Sequence, residues 1–307
     1  MPFKKEGGII MLNDSYVNYF SLFEYVKKIK LSSELLEHLE YTNCDFDTYM
    51  HEISKYDEEY IINHWIYLLY NELRFSQKME YSSFDVHKLV DKGIFFDTLN
   101  ISNKRIIDIH NFVTEEDIEP TFKYRSSEVN VSKYNSDGTE DIFYLGVMAK
   151  DVNKFMNDFI NIYKHNGTSL IFSNPFLVSA LMHLLFVRIH PFADGNGRTT
   201  RVIHNIKFTE SVNKLYGTKL KISPLNLSES INLNKITYVN KLNDIYFDLD
   251  HDNEEAINKW FNFILDMADE QIYKSINLLN SSKSFMFKDI DEISKKQMSQ
   301  VKKKLKR

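Results

Sequence analysis

The chain of 307 residues is long enough to bury substantial cores, as one large domain or two modest ones. Its 43% hydrophobic and 26% charged content is that of an ordinary soluble globular protein, and a formal net charge of -5 excludes a global electrostatic bias toward nucleic acid or anionic lipid. Cys44 is the only cysteine, which excludes an intrachain disulfide and a thiolate metal cluster and is compatible with a reducing cytoplasm.

Nine glycines and five prolines leave few turn-rich segments, and apolar residues recur at three- and four-residue spacing. The expected fold class is therefore all-α, mainly helical, with one small β-hairpin. The apolar patch Gly8 to Leu12 is too short for a secretory signal, since Asn13 and Asp14 end it. Tyr16 to Lys30 reads as a first helix, with Tyr16, Tyr19, Phe20, Phe23, Val26 and Ile29 on one face. Ser33 reads as the cap of a short helix, Glu34 to Glu40, and Asp57 opens a longer one carrying Tyr60, Ile61, His64, Trp65, Leu68, Leu69, Leu73 and Phe75. Gly93 breaks the pattern, which resumes from Ile106 to Val113.

Phe122 to Arg125 and Val129 to Val131 alternate in character, Asn135 to Gly138 is turn chemistry, and Asp141 to Val147 supplies a return strand. Val152 to Tyr163 is amphipathic and stops at Asn166-Gly167. Asn174-Pro175 is a helix start, with a capping residue followed by proline at the first helical position. Phe176 to Ile189 is apolar almost all round and predicts an enclosed central helix; with His183 and Arg188 in a stretch shorter than roughly 18 residues, it is not expected to span a membrane. Further helices are expected from within Asn196 to Arg198 past Phe208, near Ser228 to Leu242, and from Glu254 to Leu279. The basic stretch Lys295 to Arg307 reads as a solvated helix end or tail; it lacks interleaved aromatics, so nucleic acid is not an expected partner.

The chemistry concentrates in His190-Pro191-Phe192-Ala193-Asp194-Gly195-Asn196-Gly197-Arg198-Thr199-Thr200-Arg201. Gly195 and Gly197 remove side chains where backbone amides must approach an anion. A helix starting there aims its unpaired N–H groups and its dipole at the same spot. Arg198 and Arg201, three apart, sit on neighbouring helix positions and can embrace outer phosphates. Asp194 can hold Mg²⁺ on a triphosphate, because one or two carboxylates plus phosphate oxygens suffice. His190 is the natural general base. The bland alternative is a polar loop between two core helices, its histidine and arginines satisfying local carbonyls.

All eight fixed positions of this stretch match His-x-Phe-x-Asp/Glu-Gly-Asn-Gly-Arg-x-x-Arg, so it resembles the Fic family signature. At about 5% usage per residue type, chance would produce such a match on the order of 10⁻¹⁰ per start position. The resemblance implies a protein adenylyltransferase that moves AMP from ATP to a Tyr, Ser or Thr hydroxyl of a target protein. His190 would then be the base, Asp194 the Mg²⁺ ligand, and Phe192 the anchor of the loop. Gly195, Asn196 and Gly197 would form the anion hole, and Arg198 and Arg201 would hold the outer phosphates. Lys123-Tyr124-Arg125 with the hairpin, through Val147, resembles the family's flap, which docks the target by strand addition. The stretches Leu225 to Ser228, Tyr238, Leu242 and Trp260-Phe261 resemble its closing helices. The implied organisation is an N-terminal helical region (1–115), a Fic core (116–275) and a basic tail (276–307). His183, seven residues before His190, reads as a hydrogen-bonded core histidine.

Ser76-Gln77-Lys78-Met79-Glu80 resembles the inhibitory helix of the N-terminal, self-inhibited members of that family, in which the glutamate pairs with the second motif arginine. Tyr81 stands where those members carry Gly or Asn, and Ser33 to Glu37 has the same spacing without the context. Glu80 would compete with the γ-phosphate for Arg201, or could instead position water to remove AMP from a modified target. The competing readings are a related transferase of phosphate, UMP or phosphocholine, and a catalytically inert helical interaction module. Self-association of the chain is left open by the sequence.

Overall fold

A computed structural model describes residues 16–80, 101–114, 124–134 and 140–280. The expected patch Gly8 to Leu12, Tyr81, Gly93, the turn Asn135 to Gly138 and the basic tail lie outside those residues.

Near the N-terminus, helix α1 is only Leu22–Lys27. The expected helix from Tyr16 does not form because distant residues claim the backbone. Val17 bridges Val147 in parallel, the Tyr19 N–H donates to Asp151 at 3.2 Å and the Leu22 N–H donates to Asp158 at 3.1 Å. Helix α2, Ser33–Ile53, is three times the expected length, and Ser32 rather than Ser33 caps it by accepting the Leu35 N–H. Helix α3, Glu58–Met79, is capped by Asp57, as expected. Helix α4 is Asn103–Thr114.

Strands β1, Asn130–Tyr134, and β2, Glu140–Leu145, pair antiparallel, with a register irregularity between Val131 and Ser132. Tyr124 and Arg125, expected to belong to the strand region, instead lie ahead of β1 and are buried. A 3₁₀ turn, Ala149–Asp151, leads into α5, Val152–Tyr163, and a short helix α6, Leu170–Ser173, follows.

The centre of the molecule is α7, Pro175–Ile189, every residue of which is buried. Its start is set locally: Asn174 Oδ1 accepts the N–H groups of Phe176 and Leu177 at 2.9 and 3.2 Å, and Pro175 lacks the N–H that would go unpaired. Packed along it is α8, Asn196–Tyr216. Helix α9, Leu227–Leu233, and helix α10, Lys235–Asn243, replace the single helix expected over this stretch. The break is Asn234 (φ -109°, ψ 28°), whose side-chain amide donates to the Ser230 carbonyl at 3.0 Å and so competes with the helical backbone.

Helix α11, Glu254–Asn280, closes the structure against α2 and α7. Its Trp260, fully buried, donates Nε1–H to the Ala180 carbonyl at 3.0 Å. One hydrophobic cluster runs from Val17 to Leu279 and holds α7 and α8 from all sides. No helix among the described residues is long and apolar enough to cross a membrane. Since α7 ends and α8 begins within six residues, the linking loop is pinned at both ends by the core.

Candidate functional site

Helix α7 ends because His190 turns into the left-handed region (φ 52°, ψ 61°), the only described non-glycine residue with positive φ. This conformation costs a non-glycine residue about 1–3 kcal/mol and persists only where surrounding contacts over-determine it. His190 Nδ1 lies 3.2 Å from the Val187 carbonyl, so the proton is assigned to that nitrogen and Nε2 is the one able to accept another. Burial pushes the imidazole pKa down to about 4; the Val187 carbonyl, Glu80 and Asp194 oppose the shift and the Arg125 guanidinium adds to it. The ring is therefore neutral at neutral pH.

The loop after His190 is tied down by its own side chains. Phe192 is buried and stacks on His110 of α4, ring centroids 3.8 Å apart. Asn196 accepts the Phe192 N–H at 2.9 Å and donates to the Phe192 carbonyl at 2.8 Å. The Asn196 side chain thus closes the loop, leaving only its backbone to face an anion. His110 Nε2 lies 2.9 Å from the Asp194 carbonyl, a brace that a histidine inside an ordinary helical pattern gave no signal of.

Gly195 caps α8 in the left-handed conformation (φ 72°), and a Cβ there would lie 2.3 Å from Thr114 Cγ2. Gly195→Ala should therefore lose at least about 2 kcal/mol from strain and overpacking. A thermal melt would show this as a drop of roughly 3 °C or more. The Thr199 N–H is the first to close onto the helix, at 3.0 Å to the Gly195 carbonyl, so the amides of Asn196, Gly197 and Arg198 precede the intrahelical ladder.

Asp194 is 82% exposed at the loop's outer edge, with one oxygen 3.1 Å from Arg198. Arg198 is buried and also donates to the Val113 carbonyl at 3.3 Å. Arg201, 3% exposed, reaches the last turn of α3 instead. Its Nε donates to Ser76 Oγ at 2.8 Å, and one terminal nitrogen donates to the Ser76 carbonyl at 2.9 Å and to Glu80 at 2.8 Å. The same Glu80 oxygen would stand 2.5 Å from a Cβ on Gly197, so this carboxylate lies directly on the start of α8. Burial alone would raise the Glu80 pKa, but Arg201, with Arg198 and Lys235, holds it below the usual carboxylate value.

The last turn of α3 is held elsewhere too. Lys235 donates to the Met79 carbonyl, and Gln77 donates to the Val113 carbonyl at 3.1 Å. Two turns before Glu80, buried Glu72 accepts the Ser228 N–H at 2.9 Å and the Ser228 hydroxyl. The spacing of Glu72, Ser76 and Glu80, each four apart, is the signal that could have found it. Glu37, of the Ser33 to Glu37 stretch with the same spacing, lines a surface cleft between α2, α10 and α11. His183 is fully buried and lies 2.9 Å from the Tyr238 hydroxyl, the core role expected of it.

Burial keeps His64 and His204 at pKa values of about 4 and puts His183 well below its ordinary value. The unfolded chain binds these protons, and that of His190, first as pH falls below 6.5, so folding stability declines there, by at most about 5 kcal/mol per pH unit. Urea midpoints measured from pH 7.5 to 5 should fall in that window.

The class defined by these features is a mainly helical protein whose candidate site brings together a helix start, a neutral imidazole and two buried arginines. Residues 100–206 match the Fic/DOC family model, and the chain carries a Fic/DOC family domain. A curated relative, "Protein adenylyltransferase Fic" of Nematostella vectensis, is 32% identical over 120 residues, 38% of this chain and 25% of that protein. The chain thus matches about a quarter of that relative's length. Among solved structures, a Fic family protein from Desulfovibrio desulfuricans G20 superposes with a TM-score of 0.59 at 15% identity, over 89% of this chain and 85% of its own. A Fic domain containing signaling protein from Bacteroides thetaiotaomicron gives 0.51 at 14% identity, over 79% and 97%. These likenesses support the fold; the domain match and the relatives together support a transferase.

Proposed function

We propose that the chain is a protein adenylyltransferase that uses ATP and Mg²⁺, and that Glu80 holds it in a self-inhibited state. The observation that carries this reading is the Glu80 carboxylate, seated over Gly197 at the start of α8 and ion-paired with Arg201. An anion from the chain itself occupies the place where the helix start and the second motif arginine would hold phosphate.

Asp194 fits the metal. It is an exposed carboxylate at the mouth of the cradle with a single arginine contact, which leaves oxygens available to a hard cation. When bound, Mg²⁺ would neutralise charge on the triphosphate. The chain's own residues do the rest. The α8 amides and Gly197 admit the phosphates closely, Arg198 and Arg201 fix them, and Asn196 and Phe192 keep the loop in shape. A target hydroxyl oxygen attacks the α-phosphorus, its proton passes to His190 Nε2, and the bond to pyrophosphate breaks. The neutral ring is ready to accept at physiological pH. The β1–β2 hairpin, close in sequence to the buried Tyr124-Arg125 pair that packs on the loop, is the surface on which an extended target segment would dock by strand addition.

The test is intact-protein mass spectrometry after incubating Glu80→Gly protein with ATP, Mg²⁺ and cell lysate. An adenylyl increment on a protein hydroxyl supports the reading. A phosphoryl, uridylyl or phosphocholine increment would assign the related transferases, and no ATP binding by the variant would assign the inert module.

A further inference from the structure

Arg125 was expected to belong to a docking flap, yet its side chain is 1% exposed and faces inward. Its Nε donates to the His190 carbonyl at 2.7 Å. One terminal nitrogen donates to the Val147 carbonyl and lies 3.5 Å from the Ile189 carbonyl; the other donates to the Ser127 carbonyl at 2.9 Å. The Arg125 backbone N–H donates to the Pro191 carbonyl at 2.9 Å. One residue therefore ties together the C-terminal end of α7, the first two residues of the motif and the base of the hairpin.

The carbonyls of Ile189 and His190 are groups a helix end leaves without partners, and here they are enclosed. A planar guanidinium with five N–H donors can serve several carbonyls at once, which an ammonium cannot do in one geometry. The space is cut to fit: a Cβ on Gly146 would stand 2.9 Å from the guanidinium. The strained left-handed backbone of His190 needs such an external tie, because nothing in an L-residue favours it.

We propose that Arg125 is the positioning residue for His190, holding the histidine's left-handed backbone so that its ring faces the cradle and linking that ring to the base of the hairpin. This rests on reading His190 as the proton acceptor of the proposed transfer. Arg125 touches no reacting atom; it acts through the His190 carbonyl. Of the charges acting on the imidazole, Glu80 and Asp194 raise its pKa and Arg125 lowers it.

The experiment compares Arg125→Met and Arg125→Lys in the Glu80→Gly protein, with His190 titrated by NMR of histidine-labelled protein and its signal assigned by its loss in His190→Ala. In Arg125→Met kcat should fall about tenfold or more with KM for ATP unchanged, while the His190 pKa should rise only slightly, because burial, the main cause of its depression, remains. In Arg125→Lys the charge stays but the fork is lost: kcat should fall while the pKa stays low. A folded variant with the parent's His190 pKa and kcat would overturn the proposal, as would a loss that appears only in KM for ATP. If Arg125→Met does not fold, Arg125→Lys decides the matter, since parental kcat there overturns the positioning role. If no variant transfers AMP, the His190 titration still tests the tie, and the proposed function fails separately.

Discussion

Replacing His190 with alanine in the Glu80→Gly protein should lower AMP transfer by about 10²–10⁴-fold, the range for a lost general base, while ATP binding stays near that of the parent. The separation follows from geometry. His190 sits at the end of α7, whereas the groups that would hold phosphate lie on α8, from Gly197 to Arg201. The ring's Nδ1 faces the Val187 carbonyl on its own helix, and neither the Phe192–Asn196 closure nor the Ser76 and Glu80 contacts of Arg201 run through the ring. Labelled-ATP incorporation gives the rate and calorimetry the affinity. Transfer within a fewfold of the parent would remove His190 from the base role. A matching collapse of ATP affinity would show that the substitution had disturbed the cradle instead.

The burial that keeps this imidazole neutral also sets its pH behaviour. With a pKa near 4, it is protonated only in strong acid, so the acid limb of the rate should lie below the ordinary histidine value near 6.5. A weak base of this kind accepts the hydroxyl proton late, when the bond to the α-phosphorus is well advanced, which suits a loose transition state with little demand for early deprotonation.

Much of the site was legible because its chemistry is contiguous. His190 to Arg201 places base, carboxylate, glycines and arginines in one loop and one helix start, and the flanking Asn174-Pro175 start and apolar α7 are equally local signals. Residues that support the site from a distance left no such trace. His110 sits in an unremarkable helical pattern, and only the folded chain brings it beneath Phe192 and Asp194. Arg125 lies in a segment whose alternation resembles a strand, but its guanidinium turns inward to the Ile189 and His190 carbonyls at the end of α7. The same logic explains the secondary-structure differences. Residues 16–21 have a helical apolar spacing, yet Val147, Asp151 and Asp158 offer their backbone and side chains better partners. Asn234 breaks a helix that periodicity alone would continue, because its side chain takes the carbonyl of Ser230. Local pattern decides an element where no distant group competes for its backbone.

Substituting Glu80 with glycine should raise AMP transfer by about tenfold and tighten ATP binding by a similar factor. A charge-assisted hydrogen bond contributes about 1.5–3 kcal/mol, or roughly ten- to a hundredfold in an equilibrium constant. Glu80 is 37% exposed, so solvent screens its side of the pair and the lower end of that range applies. Arg201 would not be released entirely. Ser76 would still hold Nε at 2.8 Å and a terminal nitrogen at 2.9 Å, keeping the guanidinium aimed at the start of α8 while freeing its charge for phosphate. Glu80→Gln, which keeps an acceptor oxygen and removes the charge, should fall between the two proteins. Acid is not an equivalent release: the contact is intact above the ordinary carboxylate value of 4.5 and weakens only as pH falls through the lowered Glu80 pKa, where His190 itself begins to take up a proton. Wild-type protein should therefore stay restrained from pH 5 to 8. Release in the cell would require displacing the last turn of α3, which Lys235 and Gln77 also hold. Equal incorporation and equal ATP affinity in Glu80→Gly and wild type would show that the Glu80–Arg201 pair restrains nothing.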